Sequence, residues 1–143
     1  MVRFETIDEG NWRIPITVAD SQRKYVADTT TTLARAFAYR NARSQAYIIF
    51  DDDTPIGMLL YHDCPEANAY VFSELLIDEK HQRKGYGKQA TKMVLDAMKE
   101  DGKYNKVILC YIEGNDAAKN LYEKFGFVET DRDEDEIIME LTF

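Results

Sequence analysis

At 143 residues with 45% apolar side chains, the chain matches one compact domain over residues 1–143 and leaves no room for a second folded unit. Its net charge of −8 excludes a nucleic-acid backbone as the main partner, because phosphates are held by clustered Lys and Arg. Cys64 and Cys110, in no metal-like spacing, exclude a disulfide framework or a metal cluster, and with neither a signal sequence nor an apolar run of membrane length the expected location is the cytoplasm, away from membranes.

Val2 to Ile7 reads as a first strand. Gly10 to Arg40 reads as helical, with a break at Pro15 and apolar positions Val26, Leu33, Ala34, Phe37 and Ala38. Tyr47–Phe50 and Ile56–His62 flank the turn "DDDTP" and form an antiparallel hairpin, and Tyr70–Ile77 is a further strand. A helix then carries Tyr86, Ala90, Met93, Val94, Ala97 and Met98 on one face and stops at Asp101-Gly102. Val107–Ile112 is a strand ending at Glu113-Gly114, after which Asn115 caps a helix striped by Ala118, Leu121, Tyr122 and Phe125 and closed by Gly126. Phe127–Thr130 and Glu136–Phe143 complete the chain as a strand pair around an acidic loop. This order is α/β, with strands and helices interleaved.

One stretch reverses the local charge. From Lys80 to Lys92 there are five basic residues, Lys80, Arg83, Lys84, Lys88 and Lys92, and no acid. Inside it, Gly85-Tyr86-Gly87 opens the helix that follows. A glycine turn at a helix start leaves N–H groups unpaired at the positive end of the dipole and removes the Cβ atoms that would block a phosphate. A pyrophosphate is the natural guest. Residues 85–90 also fit G-x-G-x-x-A, but the polar run "DEKHQRK" separates Ile77 from Gly85, and the preceding hairpin is antiparallel, so a dinucleotide fold fits poorly. No G-x-x-x-x-G-K-[ST] occurs, which excludes a P-loop.

These residues resemble the GNAT superfamily of N-acetyltransferases. Gln82-Arg83-Lys84-Gly85-Tyr86-Gly87 is similar to its Q/R-x-x-G-x-G/A segment, and "NDAAKNLYEKFGF" to its N-x-x-A-x-x-L-Y-x-x-x-G-F stretch, which places Asn115, Ala118, Leu121, Tyr122, Gly126 and Phe127. The resemblance implies a mixed, mostly antiparallel twisted sheet of about six to seven strands flanked by about four helices, an α/β (α+β) GNAT fold. It implies acetyl-coenzyme A as co-substrate, its pyrophosphate held by the amides of Gln82 to Lys88 with Arg83, Lys84 and Lys88 near the phosphates, and a small-molecule amine as acceptor. It implies further that the strand before the loop parts from its neighbour, freeing backbone groups near Leu76 or Ile77 for the pantetheine arm and the developing oxyanion. Dimers are common in the family, so the resemblance leaves a homodimer open as an assembly, while the sequence itself does not fix the oligomeric state.

The chemistry needs a neutral amine, an oxyanion donor and a proton for the departing thiolate. An aliphatic amine of pKa about 10.4 arrives as ammonium and must lose a proton on the site. Glu74 is the candidate base, acting through water; the alternative is a carboxylate paired with a nearby cation. Tyr122 stands at the family's general-acid position, while its place on an apolar stripe also fits core packing. Asn115 serves the pantetheine arm, the helix cap, or both. Cys110 is expected to pack in the sheet, Cys64 to lie in a turn, and His81 to be a solvated loop residue.

For the acceptor, "ETDRDEDE" from Glu129 to Glu136 carries six acids beside the expected groove and would attract a polycation, or keep a hairpin soluble. The opening "NWRIPITVADSQRKYVAD", with Asn11-Trp12, Val18, Gln22 and Val26, resembles the polyamine-acetylating bacterial members of the family, and Pro15 and Ile16 depart from their first helix. The expected reaction is acetylation of a polyamine such as spermidine or spermine by direct attack in a ternary complex. A protein or peptide N-acetyltransferase and a non-catalytic acyl-coenzyme A-binding module are the alternatives.

Overall fold

The apolar alternation of the sequence folds into strands that share one sheet. The computed structural model describes residues 1–143. Seven strands, β1 (Val2–Thr6), β2 (Gln45–Asp51), β3 (Thr54–Cys64), β4 (Ala69–Ile77), β5 (Lys106–Ile112), β6 (Val128–Asp133) and β7 (Glu136–Thr142), lie in the order β1-β2-β3-β4-β5-β7-β6. All neighbours are antiparallel except β4 and β5, which run parallel. That pair is joined by the crossover helix a parallel connection requires, α2 (Tyr86–Asp101). No helix is long and apolar enough to cross a membrane.

The two faces of the sheet are covered differently. On one, Ala90, Val94, Leu95 and Met98 of α2 pack with Tyr70, Phe72, Val107, Leu109, Tyr111 and Phe127, and α3 (Asp116–Lys124) joins through Ala118 and Tyr122. On the other, Ile48, Phe50, Met58 and Leu76 pack with Ile16 and, more loosely, with Ile14, Val18 and Val26.

That second covering corrects the expected helix over Gly10–Arg40. Only α1 (Thr29–Ala38) is α-helical there, so the structure has three α-helices rather than about four, with four single turns of 3-10 helix. Pro15 lacks the N–H a helix needs, and the segment instead ties itself down by Thr17 N–H donating to Asp78 Oδ2 at 3.0 Å and Glu79 N–H donating to the Thr17 carbonyl at 2.7 Å. Asp28 starts α1 by accepting from Thr31 N–H at 2.7 Å. The buried face of α1 also differs from the expected stripe: Thr32 is fully buried while Phe37 is 67% exposed. A threonine can be buried here because its hydroxyl donates to the Asp28 carbonyl four residues back, at 2.9 Å.

The end of the sheet remote from the glycine loop is locked by charge. Arg43 donates to both Asp63 and Asp101 at 2.7–3.0 Å, Lys103 adds a contact to Asp63 at 3.1 Å, and the Tyr70 hydroxyl donates to Asp101 at 2.6 Å. The Arg43 hydrogen bonds, with Tyr70 behind them, hold Asp101 well below the usual carboxylate range. Burial opposes ionisation of Asp63, but Arg43 and Lys103 outweigh it and lower its pKa. Both folded pKa values are depressed, so this stabilisation is present above about pH 4, the unfolded carboxylate value, and is lost as pH falls through the folded values. Arg43→Met should therefore cost about 1–3 kcal/mol at pH 7, discounted for a guanidinium that is 45% exposed. Thermal unfolding followed from pH 7 to pH 2 should show the two melting curves converging below pH 4.

Candidate active site

A single extra residue aims the site. In β4, Leu60 pairs with Glu74 but Tyr61 pairs with Phe72, so Ser73 is bulged out of the ladder. Strand side chains alternate with period two, and without the bulge Glu74 would share the α2 face with Tyr70 and Phe72. With it, Leu75 and Ile77 continue on that face while Leu76 and Glu74 turn to the α1 face. A carboxylate that would have been enclosed among aromatic rings reaches a groove instead.

The same strand parts from its neighbour. β4 and β5 pair only at Tyr70 with Val107 and Val71 with Ile108, and beyond that point the strands diverge. Asp78 N–H donates to the Ile56 carbonyl at 2.8 Å, and two-residue alternation of the antiparallel ladder turns Leu76 and Glu74 toward β3 as well. The backbone groups of Leu75 and Ile77 therefore face the gap. Gln82 Nε2 donates to the Ile77 carbonyl at 3.2 Å, as that orientation requires. Of the two positions expected to free an N–H, Ile77 points into the opening and Leu76 points into the sheet.

Around the gap stand four side chains from four elements. Glu74 is 8% exposed, and Arg35 of α1 donates from Nη1 to its Oε1. Tyr122 of α3 packs its ring edge-on against Phe72 and Phe127, with centroids 6.2 and 5.7 Å away, and no hydrogen bond of the chain uses its hydroxyl. Burial, reinforced by Cys110, raises the phenol's pKa far above its ordinary value. The proton is therefore on the oxygen at neutral pH. Cys110 of β5 is exposed rather than packed in the sheet, because residues 107, 109 and 111 alternate to the α2 face and leave Cys110 facing the groove. Partial desolvation of its thiol in the groove, with Glu136 of β7 nearby, raises its pKa, so it rests as a thiol.

The glycine loop lies at the mouth of the same gap. Between Gln82 and Lys88 no backbone N–H donates to any group of the chain; the first to do so is Gln89, to the Gly85 carbonyl at 3.1 Å. Arg83 and Gly85 adopt left-handed backbone, with φ of 64° and 82°, which curls the loop into a concave row of donors at the start of α2. No carboxylate pairs with Arg83, Lys84 or Lys88, and all three side chains are exposed. Gly87 leaves its Cβ position 3.7 Å from Leu121 Cδ2. The Tyr86 side chain points away, its hydroxyl donating to Asp51 Oδ2 at 2.6 Å, so that residue offers the loop its N–H alone. A row of amides with three free cations is the donor set a pyrophosphate takes.

Asn115 is buried and caps α3, its Oδ1 accepting from Ala118 N–H at 3.3 Å, which leaves its amide N–H groups without a partner in the chain. Beside it, Gly114 has φ of 98°, and a Cβ there would lie 3.0 Å from the Tyr25 hydroxyl, so the N-terminal segment closes over this end of the gap. The acidic run spans β6, the turn and the start of β7; every residue of β6 is exposed, and among its six acids only Glu129 has a cation partner, Arg132. His81 stacks edge-on with Tyr86 at 6.4 Å, outside the gap.

Three residues of the site had no part in the sequence argument. Arg35 had a signal, since it is the one charged residue of α1. Gly57 had one too, as an isolated glycine in a strand marks a bulge or a close approach. A Cβ there would meet the Leu76 carbonyl at 2.3 Å. Ser73 had none, because a bulge depends on the partner strand.

Comparison with known proteins agrees with this geometry. Residues 9–127 match the model of the acetyltransferase (GNAT) family. The chain is 28% identical over 116 residues to a spermine/spermidine N(1)-acetyltransferase of Bacillus subtilis, covering 77% of this chain and 75% of that one. Its fold superposes with a TM-score of 0.78 on the spermidine N-acetyltransferase of Vibrio cholerae in complex with CoA and spermine, at 18% identity over 99% of this chain and 94% of that one. The ribosomal-protein-S18-alanine N-acetyltransferase of Escherichia coli superposes equally well, with the same TM-score, identity and coverage. With the family model matching most of the sequence, and the parted strands and amide row where acetyl transfer from acetyl-coenzyme A needs them, the chain belongs to the GNAT family of N-acetyltransferases.

Proposed function

We propose that the enzyme acetylates a polyamine or a similar small aliphatic amine, by direct attack on acetyl-coenzyme A within a ternary complex. The observation that carries the catalytic reading is the parting of β4 and β5, with Glu74 on one side of the opening, the unpartnered Tyr122 hydroxyl on the other and the Ile77 N–H at its edge. The amides of Gln82 to Lys88 hold the pyrophosphate, with Arg83, Lys84 and Lys88 neutralising its charge and the Asn115 amide meeting the pantetheine arm.

Glu74, through a water, takes the proton from the acceptor ammonium. The freed amine forms the new C–N bond at the thioester carbonyl, whose oxygen gains charge and is met by the Ile77 N–H. As the C–S bond breaks, Tyr122 hands its proton to the departing sulfur, and the second proton of the newly acylated nitrogen passes to the Tyr122 phenolate, leaving the neutral amide, the free thiol and a restored phenol, while Glu74 releases its proton to solvent. The thiolate of a thiol of pKa about 8.5 is a weaker base than the Tyr122 phenolate, so the transfer to sulfur is uphill by itself and is drawn to completion by return of the acylated nitrogen's proton to the phenolate.

Two observations support a polyamine as acceptor: the Bacillus subtilis relative, and the unpaired acids of the β6–β7 hairpin, which favour a polycation at the rim. The equal structural likeness to an enzyme acting on a protein alanine supports, as a second reading, a peptide N-terminus.

Release of coenzyme A thiol should be measured with spermidine, spermine, shorter diamines, lysine peptides and alanine-starting peptides. Saturable turnover with the polyamines at or below millimolar concentration is the expected result. Turnover with alanine peptides alone would replace the polyamine by the peptide, and binding of acetyl-coenzyme A without turnover on any amine would leave a non-catalytic acyl-coenzyme A-binding module.

A further inference from the structure

We propose that Arg35 is a positioning residue of the proton-transfer step, holding Glu74 ionised and fixing its carboxylate at the edge of the groove. The proposal rests on Glu74 being the base. A carboxylate as enclosed as Glu74, if left alone, is driven toward its protonated form, and a protonated acid cannot accept the acceptor's proton. Arg35 is the one cation in contact with it. Its own side chain is 47% exposed, so the guanidinium stays hydrated while its tip reaches the buried oxygen.

The surroundings leave this work to Arg35. Facing Glu74 from α1 are Arg35 and, one turn on, Tyr39; from β3 comes His62, two positions beyond Leu60 and stacked on Tyr39 at 4.1 Å. Cys110 of β5 senses Arg35 and Glu136 of β7, and Tyr122 of α3 senses Cys110. The N-terminal segment lays Ile14, Ile16, Val18 and Val26 on this face and brings the Tyr25 hydroxyl to Gly114 at the end of the gap. Glu136 carries the same sign as Glu74, Cys110 and Tyr122 are neutral, and the arginine is the permanent cation of the set. The placement is also held independently of the pair: α1 packs against β2 and β3 with Thr32 fully buried, and its start is fixed by the Asp28 cap.

The test is the pH dependence of kcat/KM for one amine, measured for the natural enzyme and for Arg35→Met, Arg35→Gln, Arg35→Lys and Glu74→Gln, with folding checked by thermal melting. The acceptor's own titration is common to all five, so a difference between them belongs to the enzyme. Arg35→Met and Arg35→Gln should move the acidic limb up by about 1–3 pH units, and Arg35→Lys should restore most of it. Both neutral variants are made so that one that fails to fold leaves the other to be read. Glu74→Gln should remove the limb. If Glu74→Gln removes it and the Arg35 variants leave it in place, or lower the rate equally at every pH, the role of Arg35 is overturned and the base assignment stands. If Glu74→Gln keeps the limb, the base assignment itself fails.

Discussion

Tyr122→Phe should lower kcat by about 10²–10⁴-fold while leaving the affinity for acetyl-coenzyme A nearly unchanged. The substitution removes one oxygen that no group of the chain uses, and keeps the ring that Phe72 and Phe127 pack against. A purely structural tyrosine here would show the opposite pattern, with little effect on turnover, since its packing surface is retained. Steady-state rates with titration calorimetry of coenzyme A separate the two. Thiol release slowed less than threefold would remove Tyr122 from the proton path and leave the sulfur to be protonated by solvent.

Gly57→Ala should be the most damaging small substitution outside the chemistry. Its Cβ would sit 2.3 Å from the Leu76 carbonyl and 3.2 Å from both Ile49 Cδ1 and Ile77 Cδ1. The first contact is to backbone, so relief requires β3 and β4 to move apart. Overpacking of this kind costs about 1–3 kcal/mol, which for a chain of this size lowers the melting temperature by roughly 2–12 °C. The displaced strand is also the one whose Ile77 N–H borders the gap, so acetyl-coenzyme A affinity should fall with stability. A variant that melts lower but binds the cofactor with unchanged affinity would show that β4 recovers its place.

Legibility followed the range of the interactions. The α2 helix runs to Asp101 and ends on Gly102 in left-handed backbone, as its local stop signal predicts. Asn115 caps α3 from the position its side chain allows. Asp52 and Asp53 turn the chain between antiparallel β2 and β3, within the 51–55 stretch whose residues suit a turn whatever surrounds them. The N-terminal region was misread for the converse reason. Val18 and Val26 supply apolar surface that a helix could present, but Pro15 and the bonds of Thr17 to residues 78 and 79 hold the chain irregular. Phe37 was expected inward and lies outward, since Thr32 satisfies its own hydroxyl and takes the buried place.

The site divides in the same way. The shape of the glycine loop was readable because it is set by its own backbone: glycine allows left-handed φ, a helix start leaves N–H groups free, and neither depends on distant residues. Its basic side chains and the Asn115 cap belong with it. The placement of Glu74 was not readable, because period two assigns it to the face of Phe72, and only the register against β3 reveals Ser73 as an extra residue. Its pairing with Arg35, the exposure of Cys110 and the direction of the Ile77 N–H all follow from that register and from where β4 leaves β5. Local backbone preference is written in a few neighbouring residues, whereas strand register is settled by the whole sheet at once, and the geometry of the candidate site rests on the register.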